Sequence, residues 1–238
     1  NLVNAPGANI IAGMQSDGKL ISGVTAPNLS ITTNYGLHNQ GNLSAGGDIS
    51  IKGNGGDVHL GGSTNAGGNI GLRGESIGIS GSLVTAKDLE VQAKADFRIE
   101  GSGQIGGNAH VTTGGAFSLD GQFTVNKDLN LTAGGVTTRP GSFLMVGHNA
   151  NLTGGAGLSL GGATTVGNLL SLSGNTIALT GPVDAASTAA SGGTITLGEA
   201  GGMTHWRGNL SLAMSGDVNA LGGLSVANST SISSGGAV

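Results

Sequence analysis

Residues 87–101 read Lys87-Asp88-Leu89-Glu90-Val91-Gln92-Ala93-Lys94-Ala95-Asp96-Phe97-Arg98-Ile99-Glu100-Gly101. One repeat later the chain reads Gly107-Asn108-Ala109-His110-Val111-Thr112-Thr113-Gly114-Gly115-Ala116-Phe117-Ser118-Leu119-Asp120-Gly121. The two stretches share a plan. A turn former and an Asp or Asn lead into apolar-x-apolar. A polar or glycine-rich connection follows, then a second apolar-x-apolar, then glycine. Alternation at period 2 marks a strand with one buried face. Asn, Asp and Gly just ahead of it tolerate the backbone angles of a turn.

The plan extends in both directions. Glycine occupies positions 41, 61, 81, 101, 121, 141, 161, 181 and 201, a spacing of 20. With 49 Gly in 238 residues, nine hits in one phase lie far outside chance. A period of about 20–50 residues signals stacked repeats. The first strand phrase recurs as Gly47-Asp48-Ile49-Ser50-Ile51, Gly68-Asn69-Ile70-Gly71-Leu72, Lys127-Asp128-Leu129-Asn130-Leu131 and Gly208-Asn209-Leu210-Ser211-Leu212. The second recurs as Val58-His59-Leu60, Ile77-Gly78-Ile79, Leu158-Ser159-Leu160 and Ile195-Thr196-Leu197. A weaker third strand follows the phased glycine, as in Leu83-Val84-Thr85, Phe123-Thr124-Val125 and Phe143-Leu144-Met145.

Three short strands per 20 residues make a triangular rung that cannot bury itself alone. Stacking places like strands side by side at about 4.8 Å, with hydrogen bonds running from rung to rung. The flanks of each phrase point inward and its middle residue outward. The expected fold is all-β, a parallel β-helix of roughly 11–12 coils and about 55 Å in length. Residues 41–220 form the regular array. Residues 1–40 lose the phase and read as irregular coils, and residues 221–238 as a partial coil. The start at Asn1 and the end in mid-pattern read as a piece cut from a longer repeat protein.

Composition narrows function. Charged residues are 9% and aromatics 3%, the net charge is −4, and there is no Cys. Disulfides and thiolate metal sites are excluded. The absence of a basic run argues against nucleic acid as a partner. No apolar stretch reaches the ~20 residues of a membrane-spanning helix.

Columns of the stack carry the remaining chemistry. The column ahead of the first strand reads Asp48, Asn69, Asp88, Asn108, Asp128, Asn149, Asn168. Alternating Asp with Asn avoids like charges about 4.8 Å apart and lets the amides bond to their neighbours. A calcium ladder is less favoured, because calcium takes six to eight oxygens with several carboxylates at one point. The outward column of the first strand reads Ser50, Gly71, Glu90, His110, Asn130, Asn151. Only Glu90 and His110 could form a proton-transfer pair. They lack a second carboxylate at glycosidase spacing, so a polysaccharide-active enzyme is the least favoured reading. Cofactors and metals are not expected.

Two breaks stand out. Gly135 to Met145 loses a clean second strand at Arg139-Pro140, where a bulge or loop is expected; the irregularity spans 136–149. Residues 184–193 are Ala/Ser-rich and are expected to protrude as a turn. Met203-Thr204-His205-Trp206-Arg207 holds the only Trp. With Arg139, the residues His205, Trp206 and Arg207 form the candidate binding patch, since Trp and Arg favour interfaces. The plainer alternative is an aromatic lying over a turn.

The phrases Asp128-Leu129-Asn130-Leu131-Thr132-Ala133-Gly134-Gly135 and Asn151-Leu152-Thr153-Gly154-Gly155 resemble the 20-residue repeats of filamentous haemagglutinins and the related CdiA-type contact-dependent inhibition effectors. The resemblance covers roughly residues 41–220. It implies a right-handed parallel β-helix, export by two-partner secretion through an outer-membrane transporter, and a bacterial surface filament, and it implies no catalytic residue. The expected function is a shaft segment that projects a binding or toxin-carrying tip. The alternative is a segment that itself binds a receptor or glycan.

Overall fold

A computed structural model describes residues 2–4, 9–12, 27–198 and 203–238, with side chains for Asn4, 27–198 and 206–238. It is all-β, with parallel strands stacked in coils about 20 residues apart, and it makes a β-solenoid of about ten turns. Each coil runs through a first, a second and a third face. The first face can be followed from end to end in register, Leu29 beside Ile49, then Ile70, Leu89, Ala109, Leu129, Ala150, Leu170, Thr188, Leu210 and Thr230. The second face aligns Leu37, Val58, Ile77, Phe97, Phe117, Val136, Leu158, Ile177, Ile195 and Val218. The third aligns Ala45, Ala66, Thr85, Ile105, Val125, Val146, Val166 and Ala185.

Alternation decides which side chains enter the lumen. Leu89–Ala93 is buried at Leu89, Val91 and Ala93 and exposed at Glu90 and Gln92. One continuous core results, filled by interlocking large and small residues. Phe97 and Phe117 tilt against each other with centroids 5.6 Å apart. Phe123 occupies the space that a side chain at Gly103 would need, since a Cβ there would stand 2.7 Å from its ring.

Eleven first-face strands from Leu29 to Thr230 make ten full turns, in line with the roughly 11–12 coils of the spacing, but the coils at the start are unevenly spaced. Leu2–Asn4 lies directly beside Leu37–Asn39, and Asn4 and Asn39 are 35 residues apart in sequence, so two neighbouring coils are separated by more than one repeat. The regular phase also starts earlier than residue 41, because Leu29–Thr33 already pairs with Ile49–Gly53. A polar residue at an inward position hid it. Asn39 is buried where later coils place Leu60 and Ile79. Its amide is satisfied inside the lumen, where its Oδ1 accepts from Asn4 at 2.7 Å and its Nδ2 donates to the Gly41 carbonyl at 2.9 Å. At the other end, residues 221–238 add the strands Gly223–Val226 and Thr230–Ser234.

The phased glycine serves close approach. A Cβ on Gly81 would lie 2.0 Å from the Gly62 carbonyl oxygen, on Gly101 2.0 Å from that of Gly81, and on Gly121 1.9 Å from that of Gly101. Any side chain there would push adjacent coils apart. Gly62, and not Gly61, holds this column beneath Gly81, since the coil before it carries one extra residue between Leu37 and Val58. These glycines do not need a left-handed backbone, with one exception: Gly141 has φ +89. There the Ser142 N–H donates to the Arg139 carbonyl at 3.0 Å, with Pro140 second and Gly141 third in the turn. Pro followed by a positive-φ Gly is what a type II turn requires. The second strand persists up to that turn. Val136, Thr137 and Thr138 stay in register with Phe117, Ser118 and Leu119.

Residues 184–193 do not protrude. They belong to the strand Val183–Leu197, with Thr188 beside Leu170 and Ala190 beside Leu172. Both are buried, and the strand crosses three faces without interruption. Small inward side chains disguised a first-face strand as a loop.

Candidate functional site

The densest group of functional side chains projects from the first face between residues 48 and 112. Register puts Ser50, Gly71, Glu90, His110, Asn130 and Asn151 in a single outward column, as the phrases require. A second outward column carries Lys52, Arg73, Gln92 and Thr112. Gly71 has no side chain, and nothing lies within 4 Å of where its Cβ would stand. The floor therefore drops, and a shallow open groove of about 580 Å³ is lined by Asp48, Ser50, Asp88, Glu90 and His110 among others.

Glu90 and His110 are neighbours in register, yet the carboxylate is engaged elsewhere. It accepts from Gln92 Nε2 at 2.6 Å and sits 3.5 Å from Arg73 Nη2. A carboxylate with those partners is held as an ion-pair member and not aimed at an imidazole as an acid–base couple.

The Asp/Asn column forms one wall of the groove, and its geometry is a hydrogen-bond ladder. Asp48 Oδ1 accepts from the Asn69 backbone N–H at 2.7 Å and from its Nδ2 at 3.1 Å. Asn69 Oδ1 then accepts from the Asp88 N–H at 3.2 Å. Asp88 repeats the double contact with Asn108, and Asp128 with Asn149. Each side chain thus serves the coil above it. The Asn149 backbone N–H first, and its side-chain amide second, hold Asp128 below the usual carboxylate range. The column ends one residue later than the sequence suggests: Leu169, not Asn168, donates its N–H to Asn149 Oδ1. Among the described residues no group of three or more His, Asp or Glu converges as metal ligands do.

The candidate binding patch does not assemble. Trp206 is 1% exposed and is a core residue, neither a surface contact nor a lid over a turn. Its indole N–H donates to Thr188 Oγ1 at 3.0 Å. The bulk fills the lumen beside Thr188, a small inward residue whose neighbours in register are Leu170 and Leu210. The His205 side chain lies outside the described residues. Arg207 is exposed and 3.0 Å from Asp184. Arg139 belongs to a different corner, several coils away, and stands 2.9 Å from Asp120. Asp120 also takes Arg98 at 2.7 Å, and Arg98 meets Glu100 at 2.9 Å. All but Arg98–Glu100, which lies within one coil, tie successive coils on the surface, each contributing about 0–1 kcal/mol.

One pair escaped the sequence. His38 and His59 are direct partners on the second face, and their rings stack at 4.8 Å with 12° between planes. Ser80 Oγ lies 3.2 Å from His59 Nε2. Burial, then His38, pushes His59 down from its ordinary value, against a smaller upward pull from Glu100. Extending the phase back by one coil would have revealed it, because Leu37-His38-Asn39 copies Val58-His59-Leu60 with Asn at the last inward position.

No helix among the described residues is long and apolar enough to cross a membrane. No family model matches the chain, and neither a curated protein nor a solved structure matches it.

Proposed function

We propose that this chain is a stiff structural shaft, a segment of a large secreted bacterial surface filament of the haemagglutinin or contact-dependent inhibition type. It would hold a binding or toxin-carrying tip away from the cell. The supporting observation is the uninterrupted first-face register from Leu29 to Thr230, in which each coil's backbone bonds are made by the next coil. A solenoid of this kind resists bending because hydrogen-bonded ladders run along all three faces, and a bend would have to open one of them. Glu90 and Asp120, two of the side chains that could do chemistry, are engaged in ion pairs with neighbouring coils. Export through an outer-membrane two-partner-secretion transporter belongs to the same proposal.

The test is length. About ten coils at about 4.8 Å give a rod of about 50 Å. Duplicating residues 89–128 keeps the register and adds two coils, since Leu89, Ala109 and Leu129 are successive partners. Small-angle scattering should show the maximum dimension grow by about 10 Å at constant cross-section. A spherical profile, or a duplication that widens the particle instead, would sink the shaft.

A further inference from the structure

We propose that His38 and His59 form a surface site for one divalent transition-metal ion of the imidazole-preferring class (zinc, nickel or copper), clamping two adjacent coils.

The geometry is set by the solenoid. Both histidines occupy the outward middle position of in-register strands, Leu37–Asn39 and Val58–Leu60, so their rings emerge side by side. With centroids 4.8 Å apart and planes 12° from parallel, the two rings stand at one-strand spacing, and rotation about each Cβ–Cγ bond can turn a nitrogen of each toward a shared ion. A tetrahedral ion with metal–nitrogen bonds of about 2.0–2.1 Å needs the two nitrogens about 3.4 Å apart. The rings are only partly buried and can close that gap by tilting toward each other.

Room exists on the nitrogen edges. A Cβ at Gly61 would lie 3.3 Å from His59 Nε2, and one at Gly78 3.2 Å from His59 Nδ1. Both positions are glycine, so neither crowds an edge, and the Ser80 hydroxyl is what stands at the Nε2 edge. Ser80 Oγ, 3.2 Å from Nε2, shows that this nitrogen already faces a polar neighbour. The remaining coordination positions are open to water. The charge environment also suits a cation's ligands. Glu100 adds negative potential from the second coil beyond His59. Arg98 sits on the same outward column, one coil past Gly78, and is neutralised by Glu100 and Asp120. Imidazole ligands favour zinc, copper and nickel over magnesium or calcium.

The experiment is a calorimetric titration of the tag-free chain with Ni²⁺ and with Zn²⁺ at pH 7.5, repeated at pH 5. One ion per chain is expected at the higher pH, with binding lost at the lower, where protons compete for the nitrogens. His38→Gln and His59→Gln should each weaken binding at least tenfold, while His110→Gln and His148→Gln leave it unchanged. Copper(II) electron paramagnetic resonance on the unmodified protein gives an independent reading, with two nitrogen donors expected. Unchanged binding in the His38→Gln/His59→Gln double variant overturns the site. So does a copper spectrum with one nitrogen donor, or binding that follows His110 or His148.

Discussion

The coils before and after Arg139 share an interior and differ in everything outside it. Eight of the nine Lys and Arg residues lie at or before position 139, and only Asp184, Glu199, Arg207 and Asp217 are charged beyond it. Up to Val125 the coils use strands of three to five residues joined by turns, as in Leu89–Ala93 and Phe97–Ile99, and Leu129–Thr138 is the first to run through a corner. The later ones run through their corners, giving Ala163–Leu179 and Val183–Leu197 of 17 and 15 residues. The repeat length also varies more, from 18 residues at Leu170–Thr188 to 22 at Thr188–Leu210, against 19 at Ile70–Leu89 and 21 at Ile49–Ile70. The inward alternation survives this change. The solenoid therefore depends on lumen filling and coil-to-coil hydrogen bonds, and surface charge is free to vary. Side chains that could recognise a partner, such as Lys52, Arg73, Glu90 and the two stacked histidines, concentrate in the early half.

The sharpest way to separate the halves is to empty the later lumen. Trp206→Ala deletes the largest fully buried side chain and removes the indole N–H that the Thr188 hydroxyl accepts. A loss of about 3–5 kcal/mol is expected for an aromatic deletion of this kind. Neighbours carry stability in a solenoid, so the loss should fall on the coils around residues 183–226 first. Hydrogen exchange should show early protection loss there while Leu89–Val125 stays protected. Uniform loss along the chain would mean that the two halves unfold as one.

The Trp206 result bears on what a single sequence reveals. The outward column from Ser50 to Asn151 was readable because both inward flanks of each phrase were apolar and at least one was large. Reading failed where that condition lapsed. Asn39 occupies an inward position, and so the coil containing His38 went unseen. Thr188 and Ala190 looked like a loop because they are small. Trp206 looked like a surface anchor because the vacancy it fills is created 18 residues earlier in the chain. Burial of a small residue is legible only together with the large one that compensates for it, and those two meet through the stack.

A paired glycine test asks how far the early half tolerates change on each side of its wall. Gly121→Ala would place a Cβ 1.9 Å from the Gly101 carbonyl, which the adjacent coil can relieve only by shifting. Overpacking of this kind costs about 1–3 kcal/mol. Gly71→Ala meets nothing within 4 Å and should instead stabilise by about 0.5–1 kcal/mol, by removing backbone freedom from the unfolded chain. Denaturant midpoints of opposite sign are expected. If both variants destabilise, the groove floor at Gly71 has a backbone requirement beyond open space.

The smallest effect concerns the acidic ladder, which belongs to the early half. Asp128 has its folded pKa lowered by the Asn149 N–H and side-chain amide. Between the folded value and the ordinary value near 3.9, the unfolded chain binds more protons than the folded one. The ladder's contribution is thus complete above about pH 3.9 and fades as pH falls through the folded value. Asp128→Asn keeps an oxygen that accepts the Asn149 N–H but removes the titration. Its stability near pH 7 should change little, and its decline between pH 5 and pH 2 should be shallower than that of the unmodified chain. Urea melts across that range decide the matter. Parallel acid limbs in the two proteins would mean that the contact holds Asp128 by geometry alone. The alternation of Asp with Asn would then reflect only the avoidance of like charges in neighbouring coils.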